Sequence, residues 1–250
     1  APRELGRAPG PVALTLHNRT GVAVGVAIGR QDHARYEEVT RRHPTVRHRW
    51  LTARELLNHQ TFRDLFKVQD LDPNLKLHLK SLTLVFTDLK GSTEMYDRAG
   101  DLVAYGIVQE HFDLLTDSVR RHRGALIKTM GDAIMAAFNE PLDAVNAALD
   151  MHRGVEANAP RWRERGHSVG LKVGVHEGSA LAVNADERLD YFGQNVNIAA
   201  RVQGLSGAGE LWLTEAVYQA RGVAESLREA GRSVQRHQAL LKGVAEPVNV

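Results

Sequence analysis

The sequence contains no cysteine. Disulfides, thiolate metal sites and cysteine nucleophiles are thereby excluded, and a reducing setting, the cytoplasm, is expected. Apolar runs are short as well. None approaches the roughly 20 residues that a spanning helix requires, and the N-terminus has no signal-peptide layout. No membrane segment is expected, and the sequon-like Asn18-Arg19-Thr20 reads as a turn. Net charge is also slight, with 32 basic residues against 30 acidic ones, too even a balance to argue for nucleic acid. The basic clusters are local. Arg41 to Arg49 (RRHPTVRHR) reads as a solvated loop, and Arg120 to Arg123 (RRHR) falls where a helix should end and complements its dipole.

What is present suffices for a self-supporting core. A segment of about 170 residues buries roughly 70% of its extended-chain surface without staples. Three stretches are expected: a partial β-rich segment over 1–50, a helix and linker over 51–79, and the main domain over 80–250. In the first, Val12 to His17 and Val22 to Ile28 flank Asn18 to Gly21 as a hairpin does. Two strands alone are marginal in water, so this hairpin reads as the tail of a larger domain or an edge packed elsewhere. Thr52-Ala-Arg-Glu55 is a capping box opening a helix whose apolar face continues to Phe66. Asp72-Pro73-Asn74 then breaks the chain.

From Lys80 onward, Ser81 to Thr87 is an expected strand and Asp101 to Arg123 a long amphipathic helix stopped by Gly124. Ala125 to Met130 and Ala133 to Phe138 read as strands joined through Gly131-Asp132, and Pro141 to about Ala157 as a second helix. Leu171 to Val183 reads as a strand interrupted at Gly178, Gly193 to Leu205 as a short helix, and Leu211 to Thr214 and Pro247 to Val250 as strands around a further helix. This order gives an α+β fold of the ferredoxin-like, split βαβ kind.

Three pieces carry candidate chemistry. Phe86-Thr87-Asp88-Leu89-Lys90-Gly91-Ser92-Thr93 ends a strand in a carboxylate, a hard-oxygen donor, followed by a turn whose N–H groups suit phosphate. Ile127-Lys128-Thr129-Met130-Gly131-Asp132 puts a lysine in an apolar strand, where desolvation calls for a partner. In Asp190-Tyr191-Phe192-Gly193-Gln194-Asn195-Val196-Asn197-Ile198-Ala199-Ala200-Arg201, Asn197 and Arg201 are four apart and share a helix face. Taken singly, each admits an ordinary reading: a turn cap, a hairpin tip, a surface hydrogen bond.

Together, in order and spacing, they resemble the catalytic domain of class III nucleotidyl cyclases of bacterial type, over the stretch from about Ser81 to the last residue. The family pattern of a strand-end Asp, an IK..GD hairpin and a D..G...N...R run is present without a gap. The resemblance implies an adenylate cyclase that closes ATP to 3′,5′-cyclic AMP and pyrophosphate. Asp88, Leu89 and Asp132 would hold two divalent cations, Mg²⁺ or Mn²⁺, for in-line displacement. Lys128 and Asp190 would read the base, donating to adenine N1 and accepting from its exocyclic amine. Guanine presents the opposite polarity, and guanylate-selective relatives carry Glu and a small polar residue or Cys there. Two mismatched groups, each at about 1–3 kcal/mol, would discriminate roughly 30-fold to 10⁴-fold. Asn197 would orient the ribose and Arg201 would stabilise charge on the α-phosphate. Lys242, in Leu241-Lys242-Gly243, would reach the outer phosphates, the alternative being an ordinary exposed lysine beside a turn glycine. Gly91, Ser92 and Thr93 would cradle the same phosphates. In this family the two halves of a site come from different subunits, so the resemblance also implies a homodimer.

Rival readings differ at identifiable residues. GTP preference would require other residues at Lys128 and Asp190, and a silent nucleotide sensor would be expected to have lost parts of the Asp, Asn and Arg set. An RNA-binding ferredoxin-like domain needs stacking aromatics, which Ala125 to Met130 and Leu171 to Val175 lack, and the GG[DE]EF turn of diguanylate cyclases is absent.

Overall fold

The strand expected over Ser81 to Thr87 is the centre of a longer one, β1 (Leu77–Lys90), buried without interruption from Leu82 to Thr87. A strand covered on both faces reads as an unbroken apolar run, and Leu82-Thr83-Leu84-Val85-Phe86-Thr87 is such a run. The computed structural model describes residues 38, 41–42, 51–65, 77–165, 168–185, 188–244 and 246–250. The chain divides into two units, Ala1–Arg49 and Trp50–Val250. In the first, Arg41 and Arg42, expected in a loop, are helical and exposed, and Arg42 pairs with Glu38 one turn back at 2.7 Å. The hairpin expected at 12–17 and 22–28 lies outside the described residues.

The second unit begins with α1 (Ala53–Leu57) and α2 (Gln60–Leu65). The capping box forms as expected: Thr52 Oγ1 accepts from the Glu55 N–H at 3.2 Å, and Glu55 Oε2 accepts from the Thr52 N–H at 2.8 Å. The single expected helix is broken at Asn58, because the buried Asn58 side chain is held by Tyr191 and Asn139. After β1 come α3 (Ser92–Ala99) and α4 (Asp101–Arg121). The hairpin β2 (Ala125–Met130) and β3 (Ala133–Phe138) and the helix α5 (Pro141–Glu164) follow. The last runs past the expected end and through Pro160, anchored by fully buried Trp162, whose indole donates to Glu110 at 3.0 Å. At the end of α4, Arg121 and His122 pair with Asp150, and Arg123 pairs with Asp143, so the basic cluster also ties α4 to α5.

Next come β4 (Gly170–Ala185), β5 (Arg188–Phe192) and α6 (Gln194–Leu205). β4 continues through Gly178 instead of breaking there; the irregularity falls in β1, between Leu79 and Leu82. β6 (Leu211–Leu213), α7 (Glu215–Tyr218), α8 (Val223–Glu229), β7 (Gln238–Ala239) and β8 (Val248–Asn249) complete the unit. The main sheet runs β2-β3-β1-β4-β5, with β6 parallel to β4 beside Val173 to Val175. This is the expected α+β ferredoxin-like arrangement. One face, including Val85, Phe138, Val173 and Val175, packs on α4 and α5. The other, including Leu84, Phe86, Met135 and Ala180, receives Leu57 of α1, Phe62 of α2 and Ala199 of α6.

His152 of α5 is buried on the first face, and burial aided by nearby Arg232 pushes its pKa down to about 4. An exposed imidazole titrates near about 6.5. Unfolding therefore takes up a proton between these values, so stability falls as pH drops through that window and is flat above it. Replacing His152 with Leu should remove about 2–3 kcal/mol of the acid penalty at about pH 4. Thermal melts across this range should show a shallower decline for His152→Leu than for the parent.

Candidate active site

The second face carries the candidate site. On β1, Leu82, Leu84 and Phe86 point into its core, and the same alternation brings Asp88 to this face at the strand's end. Its cross-strand partner on β4 is Lys172, whose Nζ lies 3.2 Å from Asp88 Oδ2. Leu89 is 2% exposed, which leaves its backbone carbonyl as its available donor atom. The β1–β3 register runs to Phe86 opposite Met135, and the Ile134 N–H donates to Thr87 Oγ1 at 3.1 Å. The Gly131-Asp132 turn, with Gly131 at φ 64°, therefore lies at the same end of the sheet as Asp88. Asp132 Oδ2 is buried without a hydrogen-bond partner. A buried carboxylate oxygen in that state can be satisfied by an ordered water or by a cation. Neighbouring His111, fully buried, does not supply one, since burial holds its pKa down to about 4.

Lys128 reaches this face through a β-bulge. The β2–β3 register passes from Leu126 opposite Ala136 to Lys128 opposite Met135, so Ile127 is the extra residue. Without that insertion, alternation would send Lys128 to the opposite face from Ile127. With it, Lys128 Nζ meets Asp190 Oδ2 at 2.6 Å, which is the partner that desolvation demanded. Asp190 sits in β5, a strand the sequence reading did not place, and its other oxygen accepts from the Tyr191 N–H at 2.8 Å.

Asn197 and Arg201 lie one turn apart on α6, Asn197 exposed and Arg201 half-buried. Two glycines set how closely this helix approaches β4. A Cβ on Gly174 would stand 2.2 Å from the Gln203 backbone nitrogen, and one on Gly178 would stand 2.3 Å from the Asn195 side chain. Asn195 is fixed in turn by His176 at 3.1 Å and the Ser179 carbonyl at 2.8 Å, with His176 held from behind by Thr214. Gly174→Ala should therefore lift α6 and cost about 1–3 kcal/mol, seen as a drop of several degrees in Tm.

Arg201 lies against the turn after β7, with its guanidinium nitrogens 3.5 and 3.6 Å from where a Cβ on Gly243 would be. Exposed Lys242 is in that turn. Gly91, at φ 92°, turns the chain from β1 into α3, where a Cβ would meet the Ser168 carbonyl at 2.7 Å. Ser92 and Thr93 are the first residues of α3, so their backbone N–H groups belong to a helix N-terminus. Lys172, Gly174 and the His176–Asn195 network escaped the sequence reading. Lys172, like Lys128, stands in an apolar strand where desolvation calls for a partner, and that was its signal in the sequence.

Among the described residues no three His, Cys, Asp or Glu side chains cluster. Asp88, Asp132 and a backbone oxygen nonetheless suit hard divalent cations, which commonly complete their shells with water and substrate phosphates. The unpartnered Asp132 oxygen fits that use.

The sequence model of the adenylate and guanylate cyclase catalytic domain matches residues 76–247, and the chain belongs to this family of class III cyclase catalytic domains. Adenylate cyclase 2 of Rhizobium meliloti is 30% identical over 166 residues, spanning 62% of this chain and 44% of that protein. An adenylate cyclase of Lachancea kluyveri is 28% identical over 185 residues, spanning 66% of this chain and 10% of that protein. The chain thus spans less than half the length of these relatives. In fold it is similar to the adenylyl cyclase CyaB from P. aeruginosa, at TM-score 0.58 and 23% identity over 70% of this chain and 93% of that one. It is equally similar to the guanylate cyclase domain of RhGC from Catenaria anguillulae, at TM-score 0.58 and 19% identity over 69% and 95%. Among the described residues no helix is long and apolar enough to cross a membrane.

Proposed function

We propose that this chain is an adenylate cyclase converting ATP to 3′,5′-cyclic AMP and pyrophosphate as a homodimer. The observation that carries the choice of ATP is the contact between Lys128 and Asp190, 2.6 Å apart. A donor beside an acceptor, each partly desolvated, matches the N1 and amine edge of adenine and leaves two groups unmatched against guanine. The pair opens to admit the base, Lys128 donating to N1 and Asp190 accepting from the amine.

Asn197 orients the ribose. Arg201 takes up charge on the α-phosphate as the 3′-oxygen–phosphorus bond forms and the bond to pyrophosphate breaks. Lys242 and the N–H groups of Gly91, Ser92 and Thr93 hold the outer phosphates. Asp88, Asp132 and the Leu89 carbonyl would bind two divalent cations, which supply activation of the 3′-hydroxyl and neutralisation of the triphosphate. The carboxylate half and the base-reading half belong to different subunits in this reading, so a two-fold dimer has two equivalent sites.

The deciding experiment incubates the full chain with ATP or GTP, with Mn²⁺ and then Mg²⁺, and quantifies cyclic nucleotide and pyrophosphate. Cyclic AMP well above cyclic GMP is expected, with activity per chain falling on dilution below the dimer dissociation constant. Preferential cyclic GMP would reassign the base pair. Binding of ATP without product would identify a silent sensor.

A further inference from the structure

β2 and β5 are the two ends of the strand order β2-β3-β1-β4-β5, yet Lys128 on one and Asp190 on the other are in direct contact. The sheet therefore curls until its ends face each other. End strands carry backbone groups that need partners, and here α2 supplies them to both. Gln60 Oε1 accepts from the Leu126 N–H of β2 at 2.7 Å. One turn on, Arg63 donates to the Leu189 carbonyl of β5 at 2.9 Å and to the Leu57 carbonyl of α1 at 3.2 Å. Between the two helices, buried Asn58 accepts from the buried Tyr191 hydroxyl at 2.7 Å. The bonded positions lie within two residues of Lys128 and next to Asp190 on both sides. Both Gln60 and Arg63 precede the matched family region, 76–247.

We propose that Gln60 and Arg63 are positioning residues for purine recognition. They strap the two ends of the curled sheet at the separation that Lys128 and Asp190 require. The α1–α2 hairpin is then the element through which a change upstream alters selection of the base, and this rests on the base-reading role proposed above. A change in strand separation shifts a donor and an acceptor relative to the purine edge and leaves the phosphate-binding turns where they are.

The test uses the full chain with Gln60→Met and Arg63→Met, which keep the side-chain length and remove the bonds, and Arg63→Lys, which keeps a donor. Gln60→Met should speed amide exchange at Leu126 about tenfold. Arg63→Met should raise KM for ATP about tenfold and reduce the preference for ATP over GTP by a similar factor, with kcat little changed. Arg63→Lys should recover part of both. The affinity for inorganic tripolyphosphate, which has no base, should not move. Unchanged KM and purine preference would overturn the strap. So would parallel losses of ATP and tripolyphosphate affinity with a lowered Tm and no recovery in Arg63→Lys, which would mark a purely structural role. A parent protein yielding cyclic GMP or no product would sink the substrate assignment alone. Leu126 exchange, and the relative binding of non-cyclisable ATP and GTP analogues, would still decide the strap.

Discussion

Asp132→Ala is expected to reduce cyclic AMP formation by at least about 10³-fold while leaving the fold as stable as before, or slightly more so. The loss follows from the proposed role. A carboxylate holding a divalent cation at the reacting phosphate contributes several kcal/mol to the transition state, and each 1.36 kcal/mol is tenfold. The stability half follows from packing. Asp132 Oδ2 is buried with no partner, so the folded protein gains no hydrogen bond from that atom and bears its desolvation. Asp88→Ala should be equally inactive but behave differently on melting, because it strands the Lys172 ammonium now 3.2 Å from the carboxylate. Product assays paired with thermal melts separate the two variants. An active Asp132→Ala would remove that residue from the proposed metal site.

The second large effect concerns the base. Lys128→Glu alone would set two carboxylates where a 2.6 Å ion pair now stands. Like charges at that range raise a pKa or push the strands apart, so cyclisation of both nucleotides should collapse, by about 10² or more. Adding Asp190→Ser relieves the repulsion and leaves an acceptor and a small hydroxyl for guanine. The double variant should therefore exceed Lys128→Glu in total activity, and its ratio of kcat/KM for ATP to that for GTP should fall by about 10²-fold or more relative to the parent. Measuring both nucleotides on all four members of the cycle tests this. Additive effects would mean that the two residues do not act on one ligand edge.

How far these residues could be read from sequence depended on where their partners lay. The β2–β3 hairpin was read to the residue because Gly131-Asp132 and the flanking apolar runs are local signals. The capping box at Thr52 was legible for the same reason. Strand β5 was not, since its five residues carry little pattern and pair only with the end of β4. Gly178 was misread as a break because a strand glycine marks either an interruption or a close approach, and Asn195 decides between them. The break at Asn58 was hidden likewise, its causes lying at Asn139 and Tyr191. Lys128 was expected to need a partner, which Asp190 provides, but its presence on the same face as Ile127 depends on a bulge that alternation cannot show.

The closure of the sheet's ends also bears on how the protein is made. Gln60 and Arg63 leave the ribosome well before their partners at 126 and 189, and Lys128 waits for Asp190. At about 5–20 residues per second, α2 must wait roughly 6–25 s for the strand it finally grips. Contacts of such sequence separation carry a loop-closure cost that slows their formation. The corner proposed to read the purine is therefore completed only after β5 emerges, and a chain stalled before residue 188 would present Gly91, Ser92 and Thr93 without the proposed base-reading pair.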